Sequence, residues 1–231
     1  MFLQSLLASV AGGVICLDRA FVQAMVSRPI VAAPVVGLIL NDPYTGLISG
    51  AFIELFWIDR LPVGTCLPPN DSVVAVLVVS SSIIAGHQLG GVSHELIALA
   101  VLFFLPFGYL GRALDALIIS SNDALALEGI GDAKRADIAA LSRRHLRGLM
   151  KHFVLTTSLL FVSLLAGVYA LAYVFPSLPL PVLKALGITY CLLPLLGVAV
   201  AINTINLRGT IPLFCSSFLT VVAILEFVHG A

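Results

Sequence analysis

Residues 153–175, FVLTTSLLFVSLLAGVYALAYVF, carry no charge at all. A membrane-crossing helix needs about 20 apolar residues at roughly 1.5 Å each. This run meets that requirement, and a water-soluble domain has nowhere to hide it. A second run, 96–119, is interrupted only by Pro106, Arg112 and Asp115. Arg112 and Asp115 are three apart, so the spacing predicts a structural pair on one helix face. Composition agrees, with 60% hydrophobic and 10% charged residues in 231 positions. A soluble domain has roughly a quarter charged residues. Twelve basic residues balance twelve acidic ones, so no net field recruits nucleic acid. Composition and hydropathy pattern together point to an all-α polytopic membrane protein with one membrane domain over 1–231. The first seventeen residues lack a basic leader and a small-residue cleavage site, and they read as a retained membrane segment.

Other apolar stretches are chopped. Residues 29–40 and 47–58 have twelve positions each, too few to cross alone. Between them lie Asn41, Asp42, Pro43 and Gly46, which read as a turn, either within the membrane or at its surface between two steeply tilted helices. The segment 61–71, LPVGTCLPPND, holds three prolines and a glycine and cannot be a helix interior. Residues 72–86 are again short. Residues 182–202 lead to a second polar break at 203–212. Broken backbone at membrane depth is tolerated only against protein or a water-filled cavity. Short apolar pieces with polar, Gly/Pro-marked breaks in both halves point to discontinuous, re-entrant helices and a transporter with its site near the breaks.

The polar stretch 120–152 contains Lys134, Arg135, Arg143, Arg144, Arg147 and Lys151. Ile138, Leu141, Leu146 and Leu149 recur at helical spacing. The pattern predicts a cytoplasmic loop with an amphipathic helix, since basic loops stay inside.

Few polar residues interrupt the apolar segments. Glu54 costs about 2.5–3.5 kcal/mol at the bilayer centre. It therefore lines a polar cavity or pairs with an arginine, Arg28 or Arg60. The 61–71 break offers unpaired backbone together with Asn70 and Asp71, and Gly64 and Pro69 shape it. Carboxylates and amides of this kind bind sugar hydroxyls. Glu54, Asn70, Asp71, Gly64 and Pro69 are the candidate substrate-binding residues, and no catalytic residue is expected. His87 and His94 are separated by Gly90 and Gly91, which argues against a metal site. No metal and no cofactor is expected. The usual phosphate-loop, zinc-protease, serine-hydrolase and dinucleotide glycine motifs are absent. Cys16, Cys66, Cys191 and Cys215 form no CxxC pair and read as small apolar filler.

Several landmarks occur in order: Arg28-Pro29, Asp42…Thr45-Gly46, Ile53-Glu54, Val63-Gly64, Pro68-Pro69 and Ala85-Gly86-His87-Gln88. In this the chain resembles the membrane subunit IIC of the mannose/fructose/sorbose-type phosphotransferase system. It differs by Asn41 where that family commonly has glycine, and by Asn70 where an aspartate usually follows the proline. The resemblance implies an IIC-like transporter fold in the bacterial inner membrane. It implies translocation of a hexose-type sugar, with membrane subunit IID and the soluble phosphocarriers IIA and IIB as partners in an oligomer. The sugar would be phosphorylated by IIB, and none of the five histidines here would be a phosphocarrier. Two other readings fit the same residues: a degenerate IIC-like regulatory subunit, and an ion-coupled secondary transporter.

Overall fold

Ser72 to Gly86 are buried on every side, which makes one helix, α4 (Asp71–Leu89), the axis of the protein. The computed structural model describes residues 1–58, 67–205, 212 and 214–220. Around α4 pack α1 (Phe2–Leu17), α2 (Pro29–Ile39), α3 (Pro43–Phe56), α5 (His94–Phe104), α6 (Phe107–Lys134) and α7 (Ile138–Ser177). An eighth helix, α8 (Leu180–Ile205), lies against α3 and α5. Among the described residues there is no strand.

The core of α4 is built from valine, alanine and serine. In lipid, helices gain nothing by hiding apolar surface from tails that are equally apolar. Close packing of small residues has to hold them instead. Many large apolar side chains face outward, Leu3, Leu117, Val162 and Tyr173 all being more than half exposed, while Ile53, Phe104, Leu160 and Leu164 pack inside. Four stretches are long and apolar enough to cross a membrane: Asp71–Leu89, His94–Lys134, Ile138–Ser177 and Leu180–Val200.

The expected turn near 41–46 is present. Asn41 takes the left-handed conformation, φ 63°, which asparagine tolerates better than most residues. Asp42 then caps α3, accepting from the Thr45 backbone N–H at 3.0 Å and its hydroxyl at 2.5 Å. Its own N–H donates to the Gly37 carbonyl at 2.8 Å. The two helices fold back on each other with almost no side chain between them. A Cβ at Gly46 would stand 2.6 Å from the Ala33 carbonyl oxygen, and one at Gly50 2.5 Å from that of Pro29. With 11 and 14 residues, the arms reach about 17 and 21 Å, short of a hydrocarbon core of about 30 Å. They form a re-entrant hairpin.

Three expectations are corrected. The run 96–119 is two helices, broken at Leu105 and Pro106. The segment 72–86 belongs to a 19-residue helix, because Asn70 and Asp71 start α4 and the polar His87-Gln88 still continue it. The polar stretch 120–152 is no loop: α6 and α7 run through it and meet at a turn over Arg135–Asp137. Arg144 holds the two arms together, bonding Asp132 and Glu128. Of the second expected break, 203–212, α8 continues to Ile205, and residues 206–211 lie outside the described residues.

Candidate functional site

The non-helical residues Leu67–Asn70 lead into α4. Asn70 caps that helix, its side-chain oxygen accepting from the Val73 N–H at 3.1 Å. The same oxygen accepts from Arg19 Nη1 at 3.2 Å, while its Nδ2 donates to Asp115 Oδ2 at 2.9 Å. The Asn70 backbone N–H donates to the Gly108 carbonyl at 2.8 Å. Gly111 lets α6 come this near, since a Cβ there would stand 2.7 Å from the Asn70 Cβ. Asp71 pairs with Arg19 at 2.8 Å. Arg19, Asn70, Asp71 and Asp115 thus form one network across the start of α4 and the middle of α6.

Asp115 was expected to pair with Arg112, three residues back. Instead it is buried and takes the Asn70 amide, and Arg112 is exposed. Asp115 faces α4, so its partner comes from another helix.

The network borders a cavity of about 620 Å³. Its walls include Arg19, Arg28, Pro68, Asp71, Asp115 and His152. The connector between α1 and α2 closes one side. There Asp18 accepts from the Ala24 and Ser27 backbone N–H groups, at 2.8 and 3.1 Å, and from the Ser27 hydroxyl at 3.1 Å. Burial pushes the Asp18 carboxyl upward, but these hydrogen bonds outweigh it and hold the group below its ordinary value. The Ser72 hydroxyl donates to the Ser27 carbonyl at 2.6 Å and fastens the connector to α4.

The structure separates the candidate residues by role. Asp71 lines the cavity. Asn70 sits beneath it, 1% exposed, with its oxygen and one amide hydrogen already committed. Pro69 is buried next to it. Glu54 does not itself line the cavity. One of its oxygens pairs with Arg28 Nε at 3.0 Å and the other accepts from the Ile30 N–H at 3.3 Å. Arg28 does line the cavity, so Glu54 reaches it through that guanidinium. Gly64 lies outside the described residues. Arg19, Asp115 and His152 are additions that local spacing did not reveal. Their signal is a charge or imidazole inside an apolar run, as for Asp115, or at the border of one, as for Arg19 and His152, a feature many residues share.

A third cavity, about 380 Å³, contains both His87 and His94, and the His94 ring stacks on Tyr190 at 4.3 Å. Among the described residues no group of three or more His, Cys, Asp or Glu side chains could hold a metal.

The chain is similar over most of its length to known membrane proteins. Residues 2–229 match the family described as PTS system sorbose-specific IIC component. The PTS system mannose-specific EIIC component of Escherichia coli K12 is 26% identical over 194 residues, covering 84% of this chain and 70% of that one. The fructose permease IIC component of Bacillus subtilis is 25% identical over 214 residues, covering 93% and 75%. Two solved structures share the fold at 20% identity. One, titled only as a membrane protein, has a TM-score of 0.74 and covers 100% of this chain and 92% of its own. The other, the mannose transporter ManYZ with microcin E492, has a TM-score of 0.62 and covers 100% and 94%. A helical membrane domain with a re-entrant hairpin and a polar cavity at the proline-rich break, matched from residue 2 to residue 229, belongs to the sorbose-type IIC family of the phosphotransferase system.

Proposed function

We propose that this chain is the sugar-translocating subunit of a phosphoenolpyruvate-dependent phosphotransferase system and takes a hexose-type sugar into the cavity beside Asp71. The observation that carries the reading is the Arg19–Asp71 pair on the cavity wall, braced from below by Asn70 and Asp115. A carboxylate accepts from sugar hydroxyls and a guanidinium donates to sugar oxygens. Asn70 holds the pair in place and keeps one amide hydrogen to donate. Glu54 sets the position of Arg28. Pro69 shapes the backbone of the same break. Subunit IID completes the membrane unit as an oligomer in the bacterial inner membrane. Soluble IIA and IIB relay phosphate to the incoming sugar.

The test uses cells lacking this chain, with IIA, IIB and IID retained. Phosphoenolpyruvate-dependent uptake of radiolabelled mannose, fructose or sorbose should return when the chain is restored. In the purified chain with IID, Asp71→Asn removes a charged acceptor. Hydrogen bonds to charged groups are worth about 1.5–3 kcal/mol, so sugar affinity should fall roughly ten- to a hundredfold. Unchanged affinity in folded Asp71→Asn protein would take Asp71 out of the site. Glu54→Gln separates a direct sugar contact from a brace. Gln keeps a neutral hydrogen bond to Arg28, so weakening as strong as that of Asp71→Asn marks direct contact.

A further inference from the structure

Asp115 lines the first cavity from the middle of α6, and it is 9% exposed. Its Oδ2 takes the Asn70 amide at 2.9 Å. Among the described residues nothing donates to Oδ1, and no lysine or arginine pairs with this carboxylate. Oδ1 is not shut away from water either, as the Ser80 and Ser82 hydroxyls are, so it opens on the cavity. Asp71 is arranged in the same way. Arg19 and the Ser72 N–H donate to its Oδ1, at 2.8 and 2.9 Å, and its Oδ2 is left open on the same wall. Holding Asn70 takes one acceptor, and a neutral side chain would supply it. A second oxygen that carries charge inside a membrane helix is expensive unless something comes to meet it.

The other polar groups of the wall leave these two oxygens as its open charged acceptors. The Asp18 oxygens are taken by Ala24 and Ser27. Gln23 is an exposed residue of the connector. His152 has its Nε2 closed off, which leaves only Nδ1. Arg19 and Arg28 supply donors, and Arg28 uses only its Nε on Glu54. A second cavity, about 540 Å³, adjoins this one between α6 and α7, and no carboxylate lines it. One side chain sets the spacing of the two open oxygens. The Asn70 amide holds Asp115, and the Asn70 oxygen accepts from the same Arg19 nitrogen that holds Asp71. Two fixed charged acceptors beside two guanidiniums suit a neutral ring with several hydroxyls, and the paired carboxylates repel an anion.

We propose that Asp115 is a sugar-binding residue, its Oδ1 accepting from one ring hydroxyl while Asp71 Oδ2 accepts from another. This rests on the reading that the first cavity takes the sugar, and it gives that site a second carboxylate, contributed by α6. Asn70 is then the gauge that fixes which two hydroxyls of a ring can be held at once, and so which sugars fit.

The test uses the purified chain with IID and equilibrium binding of mannose, fructose and sorbose, together with the singly deoxygenated analogues of whichever binds most tightly. Asp115→Asn keeps the size of the side chain and an acceptor for the Asn70 amide, and it puts a neutral amide where the open oxygen was. A hydrogen bond to a charged group is worth roughly ten- to a hundredfold in affinity, and binding of the parent sugar should weaken by that factor. One analogue, lacking the hydroxyl that meets Asp115, should lose affinity in wild type and lose nothing further in Asp115→Asn. The other analogues should lose as much in the variant as in wild type. Asp71→Asn should be blind to a different hydroxyl. Unchanged affinity for the parent sugar in folded Asp115→Asn protein would overturn the proposal. A loss that simply adds to that of every analogue would overturn it too, since it would mean a brace acting through Asn70. Where the variant does not fold, the wild-type complex carries the test. A hydrophobic carbodiimide should label Asp115, read by peptide mass spectrometry, and saturating sugar should slow that labelling. Labelling that is absent without sugar, or equal with and without it, would overturn the proposal. If the wild-type chain binds none of the three sugars, the reading of the first cavity fails and this one with it. Binding that Asp71→Asn weakens and Asp115→Asn does not overturns this one alone.

Discussion

Asp71 and Asn70 were legible at the residue scale, because three prolines and a glycine within 61–71 cannot form a helix and must leave polar groups looking for partners. What they bond to was not legible. Arg19 lies 51 and 52 residues away from them, and Asp115 lies 45 from Asn70. No helical or strand period reaches that far, and the one local clue, Arg112 three residues from Asp115, pointed to the wrong partner. For Glu54 the cost of a charge in lipid was legible, and Arg28 was one of two arginines in reach. Asp18 gives a prediction at this scale. It lies in the connector, outside the spanning helices, and its folded carboxyl titrates below the ordinary value of about 3.9. The anion is therefore the form that stabilises the fold. That contribution is complete above the unfolded value and is lost as pH falls through the lower, folded one. Thermal unfolding in detergent should show a stability plateau near neutrality and a decline in acid. Asp18→Asn should lower the plateau and flatten the decline. An identical acid decline in the variant would assign it to other carboxylates.

At the scale of elements, the hairpin of α2 and α3 was the clearest success. Two apolar pieces too short to span, joined by Asn, Asp, Pro and Gly, predict a chain that turns back on itself at that join. The polar hairpin was legible only in part: the amphipathic helix expected over Ile138, Leu141, Leu146 and Leu149 is the start of α7, whereas the stretch before it was not expected to be helical. Its composition reads as a loop, yet long-range pairs such as Arg144 with Asp132 and Glu128 let both arms stay helical. A sequence shows the charges without showing that they face each other. Helix α4 looked too short for a related reason: the Asn70 side chain that starts it is itself held by α6 and Arg19. The re-entrant hairpin also carries a prediction. Gly46→Ala places a methyl carbon 2.6 Å from the Ala33 carbonyl oxygen and 2.9 Å from the Pro34 Cα. Both are backbone atoms that cannot step aside, and overpacking of this kind costs about 1–3 kcal/mol. The melting temperature in detergent should drop and uptake should fall with it. Leu38→Ala, at a position 63% exposed on the same hairpin, should stay within about 0.5 kcal/mol of wild type. Equal melting of Gly46→Ala and wild type would show that the two arms can separate without cost.

For the whole molecule, the first question is which way the α6–α7 hairpin points. We propose that it lies in the cytoplasm, because six basic residues fall between Lys134 and Lys151 and basic segments stay inside. Asp132 is buried beneath Arg144 and Arg135, whereas Lys134 is exposed near the tip. In a background without native cysteines, Lys134→Cys should resist a membrane-impermeant thiol reagent in intact cells and react once the cells are opened. Ready labelling of intact cells would reverse the orientation. The unbroken length of α7 has a mechanical meaning as well. Its 40 residues make a rod of about 60 Å, near twice the roughly 30 Å of hydrocarbon it crosses. His152, one residue of the cavity wall, sits on this rod, and the chain before it turns at Arg135–Asp137. A tilt at the buried end is copied at the free end with no joint between to absorb it. A movement of His152 along with its helix would therefore be expected to show at the polar end of α7 as well.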